Sequence, residues 1–330
     1  MPTNLPAEYY QVEERFKAAE SPQEKVRLLE ELISTVPKHK GTDKLRADLR
    51  RRLSKLRDAA QTKKAASRHT SAYSIEREGA GQVALVGAPN VGKSALLATL
   101  TNAEPEVANF PFTTWTPLPG MMDYEDIQIQ LIDTPPLNDQ YVEPAMMDLL
   151  RRVDLILVVV DIQGFPIEQL QSSFDLMAEH RILPFERKAK LAASEQRGLT
   201  FKPTLIVVNK VDDEAFKADY DVLQELLEME QALIPTSAAT GTNLDALRRL
   251  LFEQLDLIRV YSKPPGEEPD YSQPFVLRQG STVELLAGKV HRDFVAELKS
   301  ARVWGSGVFE GQTVSRDHVL QDGDVVELRI

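Results

Sequence analysis

Gln82-Val83-Ala84-Leu85-Val86 runs without interruption into Gly87-Ala88-Pro89-Asn90-Val91-Gly92-Lys93-Ser94, and Ala95-Leu96-Leu97-Ala98-Thr99-Leu100 follows. The apolar run before the loop reads as a buried strand, and the alanine- and leucine-rich run after it as a helix. The loop between them fits G-x-x-x-x-G-K-[ST], a pattern whose chemistry is phosphate binding. Glycine lets backbone N–H groups wrap an anion, and the helix start adds its positive end. In such a loop the lysine bridges β- and γ-phosphates and the serine ligates Mg²⁺, which assigns those roles to Lys93 and Ser94. The candidate phosphate-binding stretch runs from Gly87 through Ala95. Strand before and helix after argue against a chance match, but the loop leaves the base of the nucleotide open.

Working outward, short β-branched runs alternate with helical stretches: Val83–Val86, Ile127–Ile132, Leu155–Val160, Thr204–Val208 and Ala232–Pro235. Alternation of this kind implies an α/β domain with a mostly parallel sheet and helices on both faces, whose ligands sit beyond the carboxyl ends of the strands. A helix from about Leu244 to Val260 is expected to close it. At the end of Thr204–Val208 stands Asn209-Lys210-Val211-Asp212. Asp212 can accept from guanine N1 and N2 together, whereas adenine presents an acceptor at N1 and would leave the carboxylate unpaired, at a cost of several kcal/mol. Asn209 is placed to hold the purine edge and brace the phosphate loop. Ser237-Ala238, after Ile234-Pro235-Thr236, supplies a backbone amide for guanine O6. The nucleotide implied is GTP or GDP.

Two γ-phosphate sensors are expected between these motifs. Asp133, in Asp133-Thr134-Pro135-Pro136, is suited to hold Mg²⁺ through water, and in the loop Phe112-Thr113-Thr114-Trp115 a threonine, Thr114 in preference to Thr113, would ligate the metal and cover the phosphate. Lys93, Thr114 and Asp133 are therefore the candidate catalytic residues, and Ser94, Thr114 and Asp133 the candidate Mg²⁺ ligands.

On either side of this domain, taken as residues 82–262, the pattern changes. Ser21-Pro22-Gln23-Glu24 reads as a helix start, Val26, Leu29, Leu32, Ile33 and Val36 keep helical spacing, and Pro37 and Gly41 stop the helix. A second helix from about Thr42 carries Leu45, Leu49, Leu53 and Leu56, and another short one surrounds Val12 and Phe16. Residues 1–64 are thus an N-terminal helical hairpin, and the unpatterned 65–81 a linker. After Pro264-Pro265-Gly266 a compact α+β unit, residues 263–330, is expected from Phe275–Leu277, Thr282–Lys289, Ala301–Trp304 and Val325–Ile330.

Charge is uneven. The 330 residues carry −11, yet residues 38–68 hold twelve Lys or Arg against three Asp, a net +9 that leaves −20 elsewhere. Such a segment hints at a polyanionic partner such as RNA, against the plainer reading of arginines on a solvated helix face. With no cysteine, disulfides, thiolate metal sites and cysteine nucleophiles are excluded, and the five histidines lack an i, i+4 pair. No run approaches the ~20 apolar residues of a membrane span and no leader is apparent, so a cytoplasmic protein without membrane partners is expected.

The order of these motifs, and Asn109-Phe110-Pro111-Phe112-Thr113-Thr114 in particular, resembles the Obg-like branch of translation-factor-class GTPases. The tail resembles a TGS domain, a β-grasp-like module, in Gly280–Glu284, Val290–Phe294, Ala301–Gly305 and Asp322–Val326. Val260–Gly266 and Leu45–Arg57 look most like the developmentally regulated GTP-binding proteins within that branch. The segment between Asp161 and Asn209 is short for the eukaryotic members, as in a prokaryotic relative. The resemblance implies a slow, Mg²⁺-dependent GTPase switch acting on ribosomes or RNA, with a TGS domain equally able to meet protein. Asn90 sits where cation-dependent relatives use an asparagine to help hold K⁺. In the family the third motif ends in glycine, whose amide meets the γ-phosphate. Here Pro136 has no N–H to donate, and Leu137 replaces the water-orienting glutamine of many small GTPases. The competing readings are a nucleotide-binding scaffold with little hydrolysis and a P-loop ATPase or kinase, which Asp212 opposes.

Overall fold

The computed structural model describes residues 6–18, 22–37, 47, 49–53, 72–103, 116–137, 142–227 and 231–329. They divide into two compact units, Met1–Ala72 and Tyr73–Ile330. In the first, α1 (Ala7–Ala18), the short helix expected around Val12 and Phe16, pairs with α2 (Pro22–Thr35). Val12 and Phe16 pack on Leu28, Leu29, Leu32, Ile33 and Val36. Leu49 and Leu53, on a helical piece at 49–53, join that core, while Arg50, Arg51 and Arg52 face solvent. The rest of the basic segment, 38–46, 48 and 54–68, lies outside the described residues.

In the second unit a six-stranded sheet is built from β1 (Gln82–Val86), β2 (Leu118–Tyr124), β3 (Ile127–Asp133), β4 (Leu155–Asp161), β7 (Thr204–Asn209) and β8 (Leu233–Pro235), in the order β2-β3-β1-β4-β7-β8. Every pairing is parallel except β2 with β3. Side chains alternate between two cores. Ala84, Val86, Ile156, Val158, Val160, Ile206 and Val208 meet α4 (Pro144–Arg152), α5 (Pro166–Glu179) and α6 (Glu214–Leu226) on one face. Val83, Leu85, Leu157, Val159, Leu205 and Val207 meet α3 (Lys93–Leu100) and α7 (Leu244–Gln254) on the other. Burial on both faces is why these strands read as unbroken apolar runs. Between α5 and β7, β5 (Ile182–Pro184) pairs with β6 (Thr200–Lys202) around a 3₁₀ turn at Phe185–Lys190.

The helix expected to reach Val260 stops at Gln254. Asp256 takes φ 56°, and Leu257–Ser262 is a strand, β9, with Ile258 and Val260 buried. Leu247, Leu251, Leu255 and Ile258 mimic helical spacing across the turn, which hides the two-residue alternation of the strand. β9 belongs to a second sheet, ordered β10-β9-β13-β11-β12, with β10 (Asp270–Arg278), β11 (Ser300–Trp304), β12 (Gln312–Val314) and β13 (Asp324–Arg329). The C-terminal sheet therefore starts before residue 263. Helices α8 (Val283–Val290) and α9 (Arg292–Glu297) complete it, with Val283, Leu286, Val303 and Val326 in the core.

The stretch 73–81, read as linker, is tied down. Tyr73 is 2% exposed in the first-face core, Arg77 pairs with Asp154, and the Ala80 N–H donates to Gln128 O at 2.7 Å. At the junction of the two sheets Arg259 reaches Glu125 and Asp126, at the β2–β3 turn, and Asp322 (2.7 Å) ahead of β13. Its guanidinium also lies over Phe252, which stacks on Tyr124.

Candidate functional site

The carboxyl ends of β1, β3, β4 and β7 converge with the loop after β8, and most of the candidate residues stand there. Gly87 leaves β1 at φ 152°, and a Cβ on it would come within 2.2 Å of the Val159 carbonyl oxygen. Gly92 enters α3 at φ 95°, where a Cβ would lie 2.3 Å from Asn209 Nδ2. Both glycines are thus demanded by close approach as well as by backbone angle. Asn90, exposed at φ 62°, turns the loop between them.

Lys93 is buried. Its Nζ donates to the carbonyls of Gly87 (3.0 Å) and Ala88 (2.9 Å), closing the loop over its own side chain. Desolvation lowers its pKa to about 8, against an opposing effect from Asp133. Ser94 Oγ donates to Asp133 Oδ2 at 2.5 Å. Burial pushes the Asp133 carboxyl up, opposed by the Ser94 hydroxyl, by Lys93 and by the Thr134 N–H. Asp133 Oδ1 is buried and has no hydrogen-bond partner among the described residues. An orphaned carboxylate oxygen beside a serine hydroxyl, facing a phosphate-type loop, is a donor set that fits Mg²⁺, a hard cation that takes one or two carboxylates and completes its shell with phosphate and water oxygens.

The segment after Asp133 is pinned to the phosphate loop. Thr134 Oγ1 donates to Leu85 O (2.6 Å), and the Leu137 N–H to Gly87 O (3.0 Å). The Leu137 side chain is buried in the first-face core. Thr113 and Thr114, with the whole 104–115 segment, lie outside the described residues.

At the other end Asn209, 1% exposed, links three pieces. Its Nδ2 donates to Val91 O in the phosphate loop (2.9 Å), and its Oδ1 accepts from the Ala238 N–H (3.2 Å) and from Thr236 Oγ1 (3.4 Å). Asp212 accepts from Ser237 Oγ on Oδ1 (2.5 Å). Two residues of this region were not singled out in the sequence. Asp161, the last residue of β4, pairs with Lys210 Nζ (2.5 Å), and Gln163 Nε2 donates to Lys210 O (3.0 Å) and Asp212 Oδ2 (3.1 Å). Their signal was position alone, since one ends and the other follows the strand adjacent to β7 at the ligand end of the sheet.

The arrangement can hold a di- or triphosphate on a glycine loop, a lysine and a serine, and read a purine edge with the Asp212 carboxylate. Among the described residues no group of three or more His, Cys, Asp or Glu side chains is gathered for a metal, and no helix is long and apolar enough to cross a membrane.

Residues 82–210 match the family described as 50S ribosome-binding GTPase, and residues 258–330 match the TGS domain. A GTP-binding protein of Methanocaldococcus jannaschii is 31% identical, over 93% of each chain. Ribosome-interacting GTPase 1 of Saccharomyces cerevisiae is 26% identical over 92% of this chain and 98% of its own. The developmentally regulated GTP-binding protein 1 homologue of Dictyostelium discoideum is 28% identical over the same shares. Among solved structures the Schizosaccharomyces pombe YchF GTPase superposes with a TM-score of 0.54 at 16% identity, covering 77% of this chain and 99% of that one, a likeness of fold.

Proposed function

Because this chain belongs to the Obg-like GTP-binding proteins that join a GTPase domain to a C-terminal TGS domain, a family that includes the developmentally regulated GTP-binding proteins, we propose that it is a slow, Mg²⁺-dependent GTPase switch working on ribosomes or RNA. The observation that carries the nucleotide assignment is Asn209, one buried amide that joins the phosphate loop at Val91 to the loop bearing Ser237 and Ala238. Phosphate grip and base reading are thereby set at a fixed separation.

In this reading the backbone N–H groups of Ala88 and of Asn90 to Ala95 receive the phosphates, and Lys93 exchanges its carbonyl partners for phosphate oxygens. Asp212 takes guanine N1–H and N2–H, and the Ala238 region meets O6. Mg²⁺, when bound, would neutralise charge on the β- and γ-phosphates. Ser94, Asp133 and Thr114 are the residues that would hold it. Asn90, an exposed amide in the loop, is the one that would offer oxygen to K⁺. The slow rate is supported by Leu137, an apolar side chain buried in the first-face core that carries no polar group to orient a water. The same observation favours a second reading, a guanine-nucleotide scaffold with little hydrolysis.

Ribosome or RNA as partner rests on the name of the yeast relative, a ribosome-interacting GTPase, and on the +9 segment. The C-terminal unit is the natural place for a protein contact. We take the chain as an N-terminal hairpin, a short connector, a GTP-binding domain and a TGS domain that includes β9, in the cytoplasm. Competition of GTP and ATP against labelled GDP, followed by single-turnover phosphate release in K⁺ and in Na⁺, tests the proposal. GTP should compete and ATP should not, with phosphate released over minutes and faster in K⁺. Equal competition by ATP would remove the guanine assignment, and guanine-specific binding without phosphate release would leave the scaffold.

A further inference from the structure

Asp212 is exposed, and a carboxylate on an exposed loop samples several rotamers unless something holds it. Two donors hold this one. Ser237 Oγ reaches Oδ1 at 2.5 Å and Gln163 Nε2 reaches Oδ2 at 3.1 Å. Gln163 spends its second amide hydrogen on Lys210 O at 3.0 Å. Both partners are pure acceptors, so the NH₂ end of the amide must face them.

The backbone it reaches also needs support. Lys210 sits at φ 64°, an uncommon conformation for a residue with a side chain, inside the turn that presents Asp212. Two further contacts staple that turn to the end of β4 and the loop after it, and a third orders that loop itself. Lys210 Nζ pairs with Asp161 (2.5 Å), the Ile162 N–H donates to Asn209 O (3.1 Å), and the Gln163 N–H donates to Asp161 Oδ1 (2.9 Å).

We propose that Gln163 is a positioning residue for base recognition, fixing Asp212 so that its remaining lone pairs face the N1–H and N2–H of a guanine. This rests on the assignment of Asp212 as the guanine reader. Gln163 touches no part of the base in this scheme; it acts through Asp212, by ordering the carboxylate before the nucleotide arrives. Ordering one side chain in advance is worth about tenfold in affinity.

The experiment is a double-mutant cycle on the full chain, reading the dissociation constant of GDP for wild type, Gln163→Ala, Asp212→Ala and the double variant. Asp212→Ala should weaken GDP strongly. Gln163→Ala should weaken it about tenfold when Asp212 is present and less than about twofold when it is absent. Gln163→Glu, nearly the same size, sets a second carboxylate against Asp212 and should cost more than alanine. If Asp212→Ala leaves GDP binding intact, the guanine reading itself fails. If Asp212→Ala weakens binding but Gln163→Ala does not, or weakens it equally in both backgrounds, or if Gln163→Glu binds like wild type, the positioning role alone is overturned.

Discussion

Lys93 is a buried cation whose near neighbours are two carbonyl oxygens and one carboxylate. Its fall from 10.5 to about 8 is worth roughly 3 kcal/mol of disfavoured charge. The sign of its pH dependence follows. Between pH 8 and 10.5 the unfolded chain keeps a proton on this lysine that the folded chain has released, so its contribution makes the free energy of unfolding rise with pH across that window. Phosphates beside it would raise the value, so the nucleotide complex retains a proton that the free protein loses. Affinity for GDP should hold below pH 8 and fall by up to about tenfold per pH unit above it. Titration calorimetry from pH 7 to 9.5 checks this, and Lys93→Met should bind weakly at every pH without that slope. Its apo-form should melt no lower than wild type at pH 7, and a clear loss of apo-stability would make Lys93 a structural residue. At this scale the sequence was informative wherever chemistry and spacing coincide, as from Gly87 to Ser94 and from Asn209 to Asp212. It was silent on Gln163 and Asp161, because an isolated Gln or Asp after a strand looks the same whether or not a neighbouring loop turns toward it.

Among the elements, the loop after β3 departs from the pattern that the family resemblance implies. Pro136 offers no N–H, and the next amide, on Leu137, is already committed to Gly87 O at 3.0 Å. A γ-phosphate therefore finds no backbone donor at either position, and one charge-assisted hydrogen bond is worth about 1.5–3 kcal/mol. Pro136→Gly should increase the preference for a GTP analogue over GDP by on the order of tenfold, measured as the ratio of the two dissociation constants in K⁺ with Mg²⁺. An unchanged ratio, with wild type already strongly favouring the analogue, would place γ-phosphate sensing elsewhere. The strands buried on both faces were legible because they have no polar face to interrupt them. β2 was not, because an antiparallel edge strand tolerates Pro119 and Gly120, which read locally as a turn. The three-residue β5, β6 and β12 are too short to carry a period. β9 was taken as helix because Ile258 continues the spacing of Leu247, Leu251 and Leu255 across the turn at Asp256.

For the molecule as a whole, charge separation is the first consequence of the sequence. Arg50, Arg51 and Arg52 are exposed beside a leucine-packed core, so changing all three to glutamine should leave the helical unit folded. If the basic segment grips RNA, the slope of log affinity against log salt should become shallower by up to about three phosphate contacts. An unchanged slope returns these residues to a solvated face. A second consequence comes from the Arg259 junction. β2 and β3 are seven residues each, a paired strut roughly 20 Å long. One end carries Asp133 and follows the Thr113–Thr114 segment in the chain; the other is bolted through Glu125 and Asp126 to Arg259. A stiff strut fixed at its far end cannot absorb a shift at its near end by bending, so it transmits the shift. Amide exchange along Leu257–Ser262 should then differ between GDP and a GTP analogue in wild type, and the difference should vanish in Arg259→Ala, which cuts the bolt and leaves the nucleotide site untouched. An intact difference in the variant would show that the load takes another path, and otherwise the C-terminal sheet serves as the gauge on which the state of the phosphates is read.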